Sequence, residues 1–317
     1  MKNSVRKLWI SLPLLILAIS AIVMRCIACF TELDYSTGYF RNSLLISIAD
    51  YTVAAMVVLL LISLAMKADN PSLRPSFRGP LGYIPSGVAA VSLVFVIIEL
   101  ISYIIDGTGG LLTRELFSHP SYAVAALTVL LAICAIGYFA FSSLVPTARN
   151  LPRAEFGMLA ALFFAFYTAY LYFAIGMKVN LPAKLLDEMV MLSVAIFLIQ
   201  DTRVSLGREK WKPYFVFGAI AILLTAYSAI PTVIVYIFRG ITVSESLPRT
   251  LLIFAMLIFT VCRLISASRL GEEKPSGFAT AIDAPAGNVR EEEGDEEEDS
   301  PQISIEDIEE VEGEGEK

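Results

Sequence analysis

Hydrophobic residues along this chain fall in long blocks. They do not alternate as in a half-buried strand, nor follow the three-four spacing of an amphipathic helix. Eight blocks occur, at residues 8–30, 44–66, 87–105, 122–145, 156–176, 185–201, 214–238 and 251–267. A helical residue advances about 1.5 Å, so about twenty of them cross a hydrocarbon core of about 30 Å. The pattern predicts an all-α fold, a polytopic transmembrane helix bundle of about eight spans within residues 1–270. The sixth block is the least apolar, because Asp187 and Glu188 open it. Breakers rich in Gly and Pro separate the blocks at 70–82 and 106–110, with Asn-Leu-Pro at both Asn150 and Asn180. Gly is too flexible to sustain a helix and Pro lacks a donor. Pro231 stands inside the seventh block, where a kink is predicted.

Composition agrees, since 56% of the 317 residues are hydrophobic against roughly 45–50% in soluble domains. Charge then gives orientation. Lys and Arg stay on the cytoplasmic side of short loops. Segments that include Lys2, Arg78, Arg149, Arg208 and Arg269 hold fourteen of them. The alternate segments hold six: Arg41, Arg114, Lys178, Lys184, Arg239 and Arg249. Both termini are therefore expected in the cytoplasm, with Trp9, Tyr83, Trp211 and Tyr214 at the inner boundary, where amphipathic rings settle. The first block is expected to stay uncleaved, since no A-x-A site follows it. Short loops without an N-x-[ST] site point to a bacterial plasma membrane.

After residue 270 the character reverses. Residues 271–317 hold eighteen acids and three bases, so the overall charge of −7 averages a basic membrane part and an acidic tail. A segment this charged cannot bury enough apolar surface to offset its ordering entropy, and a disordered cytoplasmic tail is expected. It is a solvated tail or a dock for a basic cytoplasmic protein, the latter through the apolar–acidic stretch 303–311.

The second block, LLISIADYTVAAMVVLLLISLAM, contains a carboxylate two turns from its start. On the predicted topology Asp50 lies roughly 9 Å below the outer boundary. Glu99 reaches about the same depth in the third span, Arg25 in the first, and Asp187 and Glu188 at the start of the sixth. A lone charge near mid-bilayer costs roughly 2.5–3.5 kcal/mol, so such groups pair, protonate or face water. Arg25 is the natural counter-charge for one acid, and the rest are in excess. Two readings follow. One is an outer-leaflet polar pocket that takes a small molecule, a proton or a cation, lined by Asp50 and Glu99 with Asp187 and Glu188 at its rim. The other is an ion-pair network that fixes helix packing. Tyr167 and Tyr170 share a face of the fifth helix beside this level. The inner half offers only Arg263, placed to snorkel to the interface. The second and sixth spans each carry an early acid and lead to a basic loop. Parallel four-helix repeats would place acids and loops this way, but the sequence similarity between the halves is too weak to establish them.

Other chemistry lacks its signatures. Cys26 and Cys29 form a C-x-x-C on one helix face, the arrangement of a membrane thiol oxidoreductase, but Cys134 and Cys262 lie too deep to relay electrons to it. His119 is the only histidine, and no metal-spaced set accompanies it. Phosphate-binding, dinucleotide and esterase motifs are absent, so no cofactor, nucleic acid or catalytic residue is expected. The sequence thus points to an integral membrane protein in contact with lipid, with transporter as the leading function. A scaffold or sensor acting through its tail is the alternative, and a thiol oxidoreductase the third.

Overall fold

The computed structural model describes residues 2–35, 37–41, 44–64, 80–108, 120–142, 151–174, 182–205, 211–240 and 246–269. The acidic tail, the His119 loop and most of the inter-block breakers lie outside the described residues. Eight helices occur among those residues. They are α1 Lys2–Thr31, α2 Leu44–Ser63, α3 Pro80–Thr108, α4 Pro120–Ser142, α5 Leu151–Phe173, α6 Pro182–Ser205, α7 Trp211–Arg239 and α8 Leu247–Arg269. Three open on proline, which suits a first turn where the missing N–H has no partner to lose. Each is a few residues longer than its apolar block at one end or both, except α2, and α4 and α5 at their far ends, because polar residues continue a helix once it has started.

Seven of the eight are long and apolar enough to cross a membrane. The exception is α6, which carries Lys184, Asp187, Glu188, Asp201 and Arg203. Its surface is nevertheless divided by chemistry. Lys184, Asp187 and Asp201 are buried in the bundle, whereas Leu185, Met189, Leu192 and Ile196 form an exposed apolar stripe at helical spacing.

Helices α3 to α8 pack in chain order, and α8 returns to α3, closing a ring of six. The α1–α2 pair lies outside that ring against α7, so α7 is the most buried of the seven apolar spans. This grouping does not divide the chain into two four-helix halves. Instead α4 and α5, which such a division would separate, pack closely. Small residues allow the tight approaches. A Cβ on Gly157 of α5 would lie 2.2 Å from Thr202 Oγ1 of α6, and one on Gly218 of α7 would lie 2.8 Å from Leu264 of α8. Pro231 sits within the unbroken α7 and leaves the Tyr227 carbonyl without its helical donor. The next residue, Thr232, gives its hydroxyl to the Ser228 carbonyl at 2.8 Å.

The α1–α2 connection folds into a two-residue hairpin, β1 Leu33–Asp34 with β2 Tyr39–Phe40, turned by Gly38 at φ 77°. Arg239, at the end of α7, lies over the rings of Phe30 and Tyr35, and Tyr35 donates to the Cys29 carbonyl at 2.6 Å. This end of the bundle is called the hairpin end. The opposite end, where α1 begins and α8 stops, is the terminal end. There Lys212 of α7 donates to the Leu64 carbonyl at the end of α2, at 2.8 Å.

Candidate functional site

The hairpin end holds a continuous polar belt. Arg25 of α1 lies 3.4 Å from Asp50 of α2, and its guanidinium covers the ring of Tyr227 on α7 at 4.6 Å. Tyr227 in turn donates to Asp50 at 2.5 Å. The next residue on α7, Ser228, donates to Asp187 of α6 at 2.9 Å. Asp187 also meets Arg249 of α8 at 3.5 Å, with both side chains 2% exposed. Arg249 is within electrostatic reach of Tyr167 on α5 and Glu99 on α3. The belt therefore takes a side chain from every described helix except α4, and Tyr122 of α4 packs beside it against Tyr103.

Sequence reasoning placed Arg25, Asp50, Glu99, Asp187, Tyr167 and Tyr170 at one level, and the structure brings them into this belt. Their environments differ. The Asp50 side chain is 52% exposed although paired. Asp187 was expected at the rim and is fully enclosed. Glu188 is only partly buried and lies within electrostatic reach of Lys184, Asp187 and Arg249. Tyr167 and Tyr170 stack at 5.8 Å, and Tyr170 meets Tyr103 edge-on at 5.3 Å. Glu99 sits beside these rings with Oε2 buried and without a hydrogen-bond partner.

Two corrections concern arginines. Arg249 counted as a loop charge in the sequence, yet α8 begins at Leu247, and its first turn carries the side chain into the bundle. The belt thus holds two guanidiniums against Asp50, Asp187 and Glu99. Arg263 was expected to snorkel alone. It is instead 4% exposed and lies 3.9 Å from Asp201, which is 0% exposed. The Asp201 carboxyl accepts hydrogen bonds from Tyr138 of α4 and, at 3.2 Å, from Tyr214 of α7. A second buried polar cluster therefore occupies the terminal end. Of its two tyrosines, Tyr214 was expected at the bilayer boundary, as was Trp211, but both of these rings are enclosed by helices. The missed signal was spacing. Asp187 and Asp201 on α6, and Arg249 and Arg263 on α8, are both fourteen residues apart, a separation of nearly four full turns that keeps each pair on one face.

Both clusters lie on the axis of the ring. Arg249 of α8 and Tyr167 of α5 come from helices that stand opposite each other, and so do Tyr138 of α4 and Tyr214 of α7. Side chains from helices that do not pack together can meet only in the space the ring encloses. Between the clusters most buried residues are apolar, including Val194, Phe197, Ile253, Met256 and Phe163, and the buried hydroxyls of Thr128, Ser193 and Thr225 turn back onto carbonyls of their own helices. Thr260 is an exception, with a fully buried hydroxyl that has no hydrogen-bond partner. No group of His, Cys, Asp and Glu suited to a metal occurs among the described residues. Cys26 and Cys29 are free thiols, the second buried. Comparison with protein-family models, with curated proteins and with solved structures yields no match.

Proposed function

We propose that the chain is an eight-span bacterial plasma-membrane transporter that binds a small cationic solute or a proton at the hairpin-end belt, with Glu99 as the binding carboxyl. One observation carries the reading. In the belt, Arg25 is matched by Asp50 and Arg249 by Asp187, which leaves Glu99 as the surplus acid, one oxygen buried without a donor. An ionised carboxyl in that position is costly unless a cation or proton joins it. The tyrosines around it offer ring faces and hydroxyls to such a ligand. Asp50, half exposed beside Arg25, lies on the outer side of α7 and is linked to the site through Tyr227.

Two further points support the membrane arrangement. The exposed apolar stripe of α6 suits a lipid-facing eighth span whose charges turn inward. Removing the buried Lys184 and Arg249 from the hairpin-end loop charges leaves Arg41, Arg114, Lys178 and Arg239 against fourteen at the terminal end, which favours both termini in the cytoplasm.

The test uses purified full-length protein. Thermal stability is measured against Na⁺, K⁺ and tetramethylammonium, and proton entry is followed in liposomes carrying a pH-sensitive dye. The expected result is a response to at least one of these ions or to a pH step, absent in Glu99→Gln, with the variant folded normally. Identical behaviour of Glu99→Gln and the natural protein in every arm would remove Glu99 from the site.

A further inference from the structure

We infer that the two axial clusters are a pair of alternating gates, with Asp201–Arg263 and its tyrosines closing the terminal end and Asp187–Arg249 closing the hairpin end. This deepens the transporter reading, and it does not depend on which solute is carried.

The first support is position. Each cluster crosses the ring interior, and the two stand about 21 Å apart along α6 and α8 at 1.5 Å per residue. A solute moving along the axis has to pass both. The helices that carry the pairs, α6 and α8, have little direct packing between them, since α7 stands between them and each otherwise packs on its other ring neighbour, α5 or α3. The arginines bridge a gap between helices, so parting an ion pair does not require unpacking a helix interface.

Energetics is the second support. A buried ion pair is often no more stabilising than apolar residues of the same volume, because desolvation offsets the attraction. Two such pairs at matched spacing on the same two helices are an expensive way to hold a bundle together. They make sense as contacts that form in one state and are released in another.

The third support is an internal correspondence. Both α5 and α8 open on Leu-Pro-Arg, at Leu151 and Leu247. Twelve residues on, the first has Phe163 and the second Phe259; sixteen residues on stand Tyr167 and Arg263. Phe163 stacks on Tyr167 at 5.7 Å, and Arg263 covers Phe259 at 5.0 Å. Likewise Glu99 lies nineteen residues after the proline that opens α3, and Asp201 nineteen after the one that opens α6. Matching α3–α4–α5 to α6–α7–α8 maps the ring onto itself and carries the Glu99–Tyr167 group onto the Asp201–Arg263 group. A three-helix unit reverses direction, so its second copy is inverted and the two groups fall at opposite ends. Inverted repeats of this kind let one end open as the other closes.

Met256 makes a reporter, because it is fully buried and lies seven residues from each arginine on α8. Cys26, Cys29, Cys134 and Cys262 are first replaced by serine or alanine, and Met256→Cys is introduced into the full chain. Right-side-out and inverted vesicles are then treated with a membrane-impermeant thiol reagent. Asp201→Asn should raise labelling from the terminal face about tenfold and lower it from the hairpin face, as expected for a population shift of that size. Asp187→Asn should do the opposite. The exchange of Asp201→Arg with Arg263→Asp should restore the original rate. Tyr138→Phe keeps the ring and removes one hydroxyl, and should raise terminal-face labelling about threefold. Unchanged rates, or an equal rise from both faces with any of these substitutions, would overturn the gates. No solute enters the measurement, so a failure here is separable from a failure of Glu99→Gln above.

Discussion

Replacing Arg249 with methionine isolates the consequence of the buried ion pair. The substitution keeps most of the side-chain volume and removes the charge. Asp187 is then left 2% exposed with Ser228 as its hydrogen-bond donor. At 3.5 Å and an effective dielectric constant of 20, the lost attraction is about 5 kcal/mol. Breaking a buried pair typically costs about 3–5 kcal/mol, in line with that figure. At roughly 2–4 °C per kcal/mol for a domain of this size, Arg249→Met should lower the apparent melting temperature in detergent by roughly 6–20 °C. Changing the partner as well reverses the sign of the reasoning. With Asp187→Leu added, the pair is removed whole and neither member is left unpaired, so the double variant should melt well above Arg249→Met, within a few degrees of the natural protein. The Arg25–Asp50 pair serves as a control. Asp50 keeps the Tyr227 hydroxyl as a donor and lies away from the bilayer centre, so Arg25→Met should cost less than the roughly 2.5–3.5 kcal/mol of a lone charge at mid-bilayer. If Arg249→Met melts like the natural protein, or the double variant falls as far as the single one, the two groups are not a desolvated pair and the accounting above is wrong.

Three further outcomes are expected. Gly157→Leu sets a branched side chain where even a Cβ would meet Thr202 at 2.2 Å, so α5 and α6 must separate; a loss of about 1–3 kcal/mol in unfolding assays is expected, and a fully stable variant would show that this approach is not tight. Cys26 is partly exposed and Cys29 is enclosed, so a maleimide should modify Cys26 well before Cys29, and serine at both positions should leave any ion response intact; loss of that response would revive the thiol reading. Deleting residues 271–317 should leave ion-dependent stabilisation unchanged, whereas a scaffold acting through its acidic tail would lose partner binding and nothing else.

The membrane-helix character of the chain was legible in its pattern because it depends on local properties. Twenty apolar residues have to cross lipid as a helix wherever they occur, and glycine, proline and loop charges mark where each helix stops. The level shared by Arg25, Asp50, Glu99 and Asp187 was legible for the same reason, since depth follows from counting residues along a helix. Azimuth did not follow from counting. Arg249 and Lys184 stand next to loops in the sequence, and only the rotation of α8 and α6 turns them inward. Asp201 and Tyr214 likewise look like boundary residues until α6 and α7 are packed together. The closure of α8 on α3, with α1 and α2 left outside, is a property of helix faces meeting at a distance in sequence. Local hydrophobicity thus marks seven segments as long and apolar enough to cross a membrane, and counting along each helix sets the level of its side chains. Which charges meet is decided by packing, because partners such as Asp187 and Arg249 lie far apart in the chain and are joined only by the ring that encloses them.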